Sequence, residues 1–233
     1  MARSAQLQRS AAADAPRDRD NGRDTLTDQA YRQIEELIVT LQLKPGEVLS
    51  EQMLSGRLDI GRTPIREALQ RLALEGLVTI LPRKGILVTD INPRNQLLVL
   101  EVRRELERLL SRASADRATA AQRAQFVEIA AGMDKAARSN NAISFMRLDR
   151  ELNALLVEAG HNDYAARAMK LLQGLSRRFW YMHYRTAADL PLCARLHAAQ
   201  ARAIAQGNAR LAGRAADDLI DYTESFTRAT VGV

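Results

Sequence analysis

The sequence predicts a mainly α-helical protein in two parts: an N-terminal winged helix-turn-helix over residues 25–89 and a C-terminal all-α helical bundle over residues 95–233. Three observations predict it. Alanine and leucine are abundant between only six prolines, and aromatic residues make up 4% of the chain, a composition that favours helices. Apolar residues recur at helical spacing over most of the length. The exception is a pair of extended apolar runs, 77–81 and 86–89, joined by Pro82-Arg83-Lys84-Gly85, which reads as a hairpin with a basic tip.

Taken in order, residues 1–24 combine five arginines and four aspartates with almost nothing to bury, and read as a disordered arm. Ala30, Ile34, Leu37, Ile38 and Leu41 then mark an amphipathic helix, which Lys44-Pro45-Gly46 ends in a turn. Ser50 caps a short second helix over 51–57, with Met53 and Leu54 pointing inward. The stretch IGRTPIREALQRLALEGL, residues 60–77, is the centre of this half. Ile65, Ala68, Leu69, Leu72 and Leu77 line one side of a helix and the turn after it, while Arg62, Thr63, Arg66 and Gln70 fall elsewhere, mostly in its first turns. Gly61 or Thr63 serves as cap, and Pro64 is tolerated in the first turn, where a missing N–H loses no helical bond. A helix start that carries outward arginines suits anions. Residues 90–94, DINPR, form a short linker, and helices follow over 97–115, 120–138, 143–158, 163–184, 192–206 and 209–230.

Composition excludes some classes. No apolar run approaches the roughly 20 residues of a membrane helix, no secretory signal is evident at the N-terminus, and the single cysteine, Cys193, fits a reducing cytoplasm. The net charge of +6 permits a nucleic-acid partner. Its distribution says more. Residues 25–60 hold three basic and six acidic side chains, whereas 61–84 hold five basic and two acidic, so positive charge gathers on the third helix and the hairpin.

The stretch LKPGEVLSEQMLSGRLDIGRTPIREALQRLALEGLVTILPRKGILV resembles the DNA-binding domain of the GntR superfamily of bacterial transcription regulators. The resemblance implies DNA contacts from Gln52, from Arg62, Thr63 and Arg66, and from Lys84 and Gly85 at the wing. Gly61 stands where members commonly have Ser or Thr, and Gln52 where many have Arg, a change that would favour adenine over guanine edges. The bundle is similar to the FCD effector domain of the FadR-like subfamily, through Glu101 to Glu107, the helix of Asp149 and the segment HAAQARAIAQGN. Many members of that class hold a metal through an Asp, a His four residues later and two further His. The matching positions here are Asp149, Asn153, His197 and Leu219, which leaves a weak donor set, so no metal or other cofactor is expected.

The resemblance implies a homodimeric, cytoplasmic regulator of an inverted-repeat operator, responsive to a small-molecule effector such as an organic acid. The effector candidates are Arg103, Asp149, Asn153, Arg178, His197 and Tyr222, the two arginines supplying charge for a carboxylate. A surface ion pair with a nearby Glu would equally account for either arginine. His183 either lines a pocket or packs with its aromatic neighbours, and His161 sits in a turn. Two other classes remain: an architectural DNA-binding protein without effector response, and an enzyme using the bundle pocket. No nucleophile, base and orienting group stand at recognisable spacing, so no enzymatic activity is expected.

Overall fold

The computed structural model describes residues 25–230, and the arm read over 1–24 lies outside them. Helix α1 (Leu26–Val39) starts where the Thr25 side chain accepts the Asp28 N–H, and buries Ala30, Ile34 and Ile38. It stops earlier than the periodicity suggests. Leu41 takes a left-handed conformation, φ 58°, and Leu43 fills the core instead. After β1 (Val48–Leu49), α2 (Glu51–Leu58) is capped by Ser50. Leu54 faces inward, but Met53 lies exposed, because adjacent helical residues point about 100° apart. Helix α3 (Arg62–Leu74), with Gly61 as N-cap, buries Ile65, Ala68, Leu69 and Leu72 as expected.

The hairpin is β2 (Val78–Leu81) and β3 (Gly85–Val88), antiparallel, with Leu81 opposite Gly85. The two-residue β1 joins β3 on its other side through Val48–Leu87 and Leu49–Ile86, giving strand order β1-β3-β2. That third strand is too short to leave an alternation in the sequence. It also explains Gly85. With φ +101°, a Cβ here would lie 2.8 Å from the Leu49 carbonyl oxygen, so only glycine lets the wing close onto β1.

Helix α4 (Pro93–Arg117) begins within the stretch read as linker, because Asn92 caps it and Pro93 fits its first turn. Five more helices follow: α5 (Ala120–Ser139), α6 (Ala142–Ala159), α7 (Asp163–Ala187), α8 (Leu190–Ala205) and α9 (Ala209–Ala229). Close packing joins helices distant in sequence, α5 on α8 and α4 on α9, as well as chain neighbours. No helix among the described residues is long and apolar enough to cross a membrane.

There are two apolar cores, and they interlock. Val39 of α1 is buried in the core of the bundle, while Leu175 of α7 packs on the core of the winged domain. Gly174 sits where a Cβ would lie 2.8 Å from a Leu77 methyl, which lets α7 approach the end of α3. Below that contact, Tyr31 of α1 donates its hydroxyl to Glu75 at 2.8 Å, and Arg71 covers the Tyr31 ring at 4.2 Å. Burial pushes the Glu75 carboxyl up to about 7, against the Tyr31 hydrogen bond that favours ionisation. A carboxyl raised in the folded state weakens folding as pH rises from its ordinary 4.5 through about 7. Glu75→Gln should therefore raise the melting temperature above neutral pH and have little effect below pH 4.5. Thermal unfolding at several pH values checks this, and a pH-independent difference would remove the role given to the charge.

Candidate DNA-reading surface and effector cavity

The first site is the N-terminal end of α3. Arg62, Thr63, Arg66 and Gln70 all lie exposed, as do Gln52 on α2 and Lys84 on the wing. The arginines are not loose. Glu51, the first residue of α2, accepts Arg66 through both carboxylate oxygens, at 2.7 and 2.8 Å, and Arg62 at 3.2 Å. These hydrogen bonds, that of Arg66 first, hold the Glu51 carboxyl down at about 2. Arg62 and Arg66 remain 64% and 56% exposed, so each keeps further guanidinium N–H groups outward while Glu51 holds Nη2 of Arg62 and Nε and Nη2 of Arg66. Sequence reasoning missed Glu51, whose only signal is an acidic residue beside a cap. Gly85 has a reason to be glycine in the close wing turn, and any contact it makes with DNA would come from its backbone.

The second site lies inside the bundle, where each helix contributes residues three or four apart and so on one face. Asp149 and Asn153 come from α6, Cys193 and His197 from α8, Arg177 and Trp180 from α7, Leu219 and Thr223 from α9, and Arg103 from α4. Around a cavity of about 40 Å³ these side chains meet, except Asn153, which reaches it only through Asp149. Asp149 is the hub. Its Oδ1 accepts Asn153 Nδ2 at 3.0 Å and stands 3.2 Å from His197 Nε2, and its Oδ2 is 3.2 Å from Arg177 Nε. Burial raises its carboxyl, yet the His197 hydrogen bond and the charges of His197, Arg177 and Arg103 outweigh that and hold it below its ordinary value.

His197 is doubly charged with hydrogen-bond duties. Its Nδ1 lies 2.8 Å from the Cys193 carbonyl oxygen and its Nε2 faces Asp149. Two acceptors require two N–H groups, hence an imidazolium. Burial opposes that charge, but Cys193 and Asp149 raise its pKa well above 6.5. Cysteine, histidine and aspartate here have the composition of a nucleophilic triad, and the geometry denies them the chemistry. The Cys193 Sγ is 3.8 Å from Nδ1, a nitrogen already committed to the carbonyl, so no lone pair is left to act as base.

The same reasoning tests the metal that the family resemblance suggests. The four matching positions do converge, but Asn153 turns an N–H toward Asp149, Leu219 offers no donor atom, and the His197 nitrogens carry protons. Arg177 supplies a positive charge against Asp149. These residues do not fit a metal ion, and among the described residues no group of three or more His, Cys, Asp or Glu could hold one.

Arg103 is placed by a buried chain of bonds: Gln200 donates to Ser111 at 2.9 Å and to Glu107 at 3.2 Å, and Glu107 accepts Arg103 Nη2 at 3.1 Å. Arg103 thus pairs with a nearby Glu as one reading has it, although the pair is buried and not at the surface, and it also lines the cavity. Its Nε, together with Trp180 Nε1, finds no acceptor in the protein, and buried donors of this kind are rare. Arg178 is elsewhere. It donates to the Thr89 carbonyl and hydroxyl and to the Asp90 carbonyl, 2.9–3.2 Å, pinning the linker to α7. Burial pulls its pKa down to about 10. One residue earlier, Arg177 points about 100° away, toward Asp149. Tyr222 is also outside the cavity. Its hydroxyl donates to the Asp189 carbonyl at the α8 start, because Leu219 and Thr223 take the inward face of α9. His183 packs at a tilt on Phe179, ring centroids 4.7 Å apart and planes 40° apart, and His161 lies in the turn before α7.

Arg177 reaches further. Its Nη1 donates to Glu35 Oε1 at 2.6 Å, with side chains 11% and 8% exposed, so one guanidinium joins Asp149 in the bundle to α1 of the winged domain. Removing one partner of such a pair strands a buried charge. Glu35→Gln should destabilise folding by about 3 kcal/mol, and the double change Glu35→Leu with Arg177→Met by less, measured by urea unfolding. A double change costlier than the single would refute this. For Asp149 and His197, the raised imidazole contributes stability below 6.5 that is lost as pH climbs through its folded pKa, and the lowered carboxyl contributes stability above 3.8. Their coupling in a cycle of Asp149→Asn and His197→Gln should thus be largest between those values and fade in the alkaline range.

Residues 98–222 match the FCD domain, and residues 26–88 match the bacterial regulatory proteins of the gntR family. The Nta operon transcriptional regulator of Aminobacter aminovorans is 28% identical over 148 residues, 64% of this chain and 69% of that protein. The Escherichia coli transcriptional repressor RspR is 27% identical over 72% of this chain and 74% of its own. A regulator from Streptomyces ambofaciens is 41% identical over 31% of this chain, a match that spans only 30% of that protein. Among solved structures, E. coli McbR/YncC superposes with a TM-score of 0.76 at 16% identity, covering 90% of this chain and all of that one, and so shares the fold. With both of its domains matched in order, the chain belongs to the GntR family of bacterial transcription regulators and carries an FCD effector domain.

Proposed function

We propose that a homodimer of this chain binds a short inverted repeat in DNA, represses transcription there, and is released when a small organic acid enters the bundle cavity. The reading rests on the start of α3, where Arg62, Thr63 and Arg66 stand exposed and two of them are braced by Glu51. A helix start of this kind, presented by a winged helix-turn-helix, reads base edges and phosphates in the major groove, with Gln52 and Lys84 beside it. Two-fold protein symmetry would match two-fold operator symmetry. The name of the E. coli relative RspR, a repressor, favours repression.

The effector side rests on the unpartnered Arg103 Nε and Trp180 Nε1 beside the cationic Arg177 and His197. A carboxylate would satisfy those donors and compete with Asp149. The cavity of about 40 Å³ admits a few water-sized groups, so a small acid, or one that moves side chains apart, is favoured. Because Arg177 also holds Glu35, an acid that draws it away alters how α1 docks. The acid then favours one dimer geometry over the other by differential affinity.

Selection from random duplex DNA, followed by fluorescence anisotropy on the enriched site, tests the first half. An inverted repeat is expected, and Arg62→Ala and Arg66→Ala should each weaken binding to it by about 1–3 kcal/mol. Undiminished binding by the double variant would sink the assignment. A ladder of bound species without sequence preference would instead favour an architectural protein.

A further inference from the structure

A second cavity, about 390 Å³, opens between the domains. Its size falls within the range of small-molecule sites, and it is roughly ten times the bundle cavity. One wall belongs to α1 and α3, through Tyr31 and Arg71, and the other to α6 and α7, through Val157, Lys170 and Gln173. Cations predominate: Arg32, Arg71, Arg150, Lys170 and Arg177 line it, against Glu35 and Glu158. Not all are neutralised. Arg71 is paired with Asp28 at 2.8 Å, but Lys170 makes no hydrogen bond or ion pair within the described residues, its charge acting on Glu75 only across a longer gap, and Arg150 comes no nearer than 3.9 Å to Glu36. The Gln173 Nε2 is buried and finds no acceptor. Glu158 already accepts Gln122 at 2.9 Å, and Glu35 is held by Arg177. The remaining surface, from Tyr31, Ala154 and Val157, is apolar.

We propose that this interdomain cavity binds a carboxylic acid with an aromatic or hydrocarbon body, its carboxylate meeting Lys170, Arg150 and the Gln173 amide and its body lying on Tyr31, Ala154 and Val157. The site is separate from the bundle cavity, with Arg177 forming part of the wall of each. A ligand here touches both domains at once, so it fixes the angle at which the winged domain is carried.

Calorimetric titration of the full-length chain with 4-phenylbutyrate, and with 4-phenylbutylamine as the oppositely charged control, tests it. The acid should bind saturably at one site and the amine should not. Lys170→Glu, at the exposed rim, should weaken the acid about tenfold or more, as should Gln173→Leu, which keeps the volume and removes the unpartnered amide. Val157→Trp should fill the cavity and exclude the acid while retaining the wild-type circular dichroism. No binding by the acid, equal binding by the amine, or an affinity insensitive to Lys170→Glu and Gln173→Leu would each overturn the proposal. So would an affinity lost on Arg103→Ala alone, which would place the acid in the bundle.

Discussion

The buried line from Asp149 through Arg177 to Glu35 holds this molecule in register. The winged domain and the bundle each have a core of their own, and the contacts that join them include Val39 and Leu175 exchanged between cores, Gly174 against Leu77, Arg178 on the linker carbonyls, Arg150 near Glu36, and this guanidinium. Apolar contacts give adhesion without direction. The charged contact adds direction, because the guanidinium donates a hydrogen bond to Glu35 through Nη1 while its Nε lies 3.2 Å from Asp149, and rotation away from either would leave a buried charge without its partner. The proposed route from the bundle to the winged domain runs through Arg177, because whatever competes for it in the bundle would also act on its hold of Glu35.

That route also bears on how a bundle of this class works without the usual donor set. Where the family resemblance places imidazoles, Asn153 and Leu219 stand, and neither could bind a cation as an imidazole would. The charge needed at the centre comes instead from Arg177 and from a protonated His197, both set against Asp149. A metal offers open coordination positions to a ligand, whereas fixed cations offer hydrogen bonds of set direction, and Arg103 and Trp180 extend that set toward the same space. On the proposed reading, recognition would rest on donor geometry, and the linkage to the winged domain would run through Arg177, one of the donors.

Much of this was legible in the sequence. The core stripe of α3, the basic hairpin tip and the six helices of the bundle follow from periodicity and turn residues, since each is a local property of contiguous chain. The pairing of Asp149 with His197 followed from the resemblance. What escaped is what two distant segments make together. Nothing near Glu51 announces that it will clamp Arg66 on the next helix, and nothing near Glu35 announces a partner 142 residues away. Of two adjacent arginines, Arg178 is the candidate read from the sequence, and helical phase puts Arg177 at the cavity instead. Trp180, three residues on from Arg177, shares its face and would have supplied that phase. Tyr222 failed in the same way, one residue from Thr223.

Glu51 has a counterpart role at the opposite end of the molecule. If the start of α3 reads DNA as proposed, an acidic side chain there would repel phosphate, yet it would also hold two arginines in place before DNA arrives, so that less side-chain entropy is lost on binding. The same carboxylate has to be outcompeted or shared when a guanidinium turns to a phosphate, which weakens attachment to arbitrary DNA. Only a sequence that offers the braced arginines additional, well-placed acceptors recovers the difference. On that reading specificity would come partly from a residue that lowers affinity, one carboxylate shared by two arginines at the start of α3 as one guanidinium is shared by two carboxylates in the bundle.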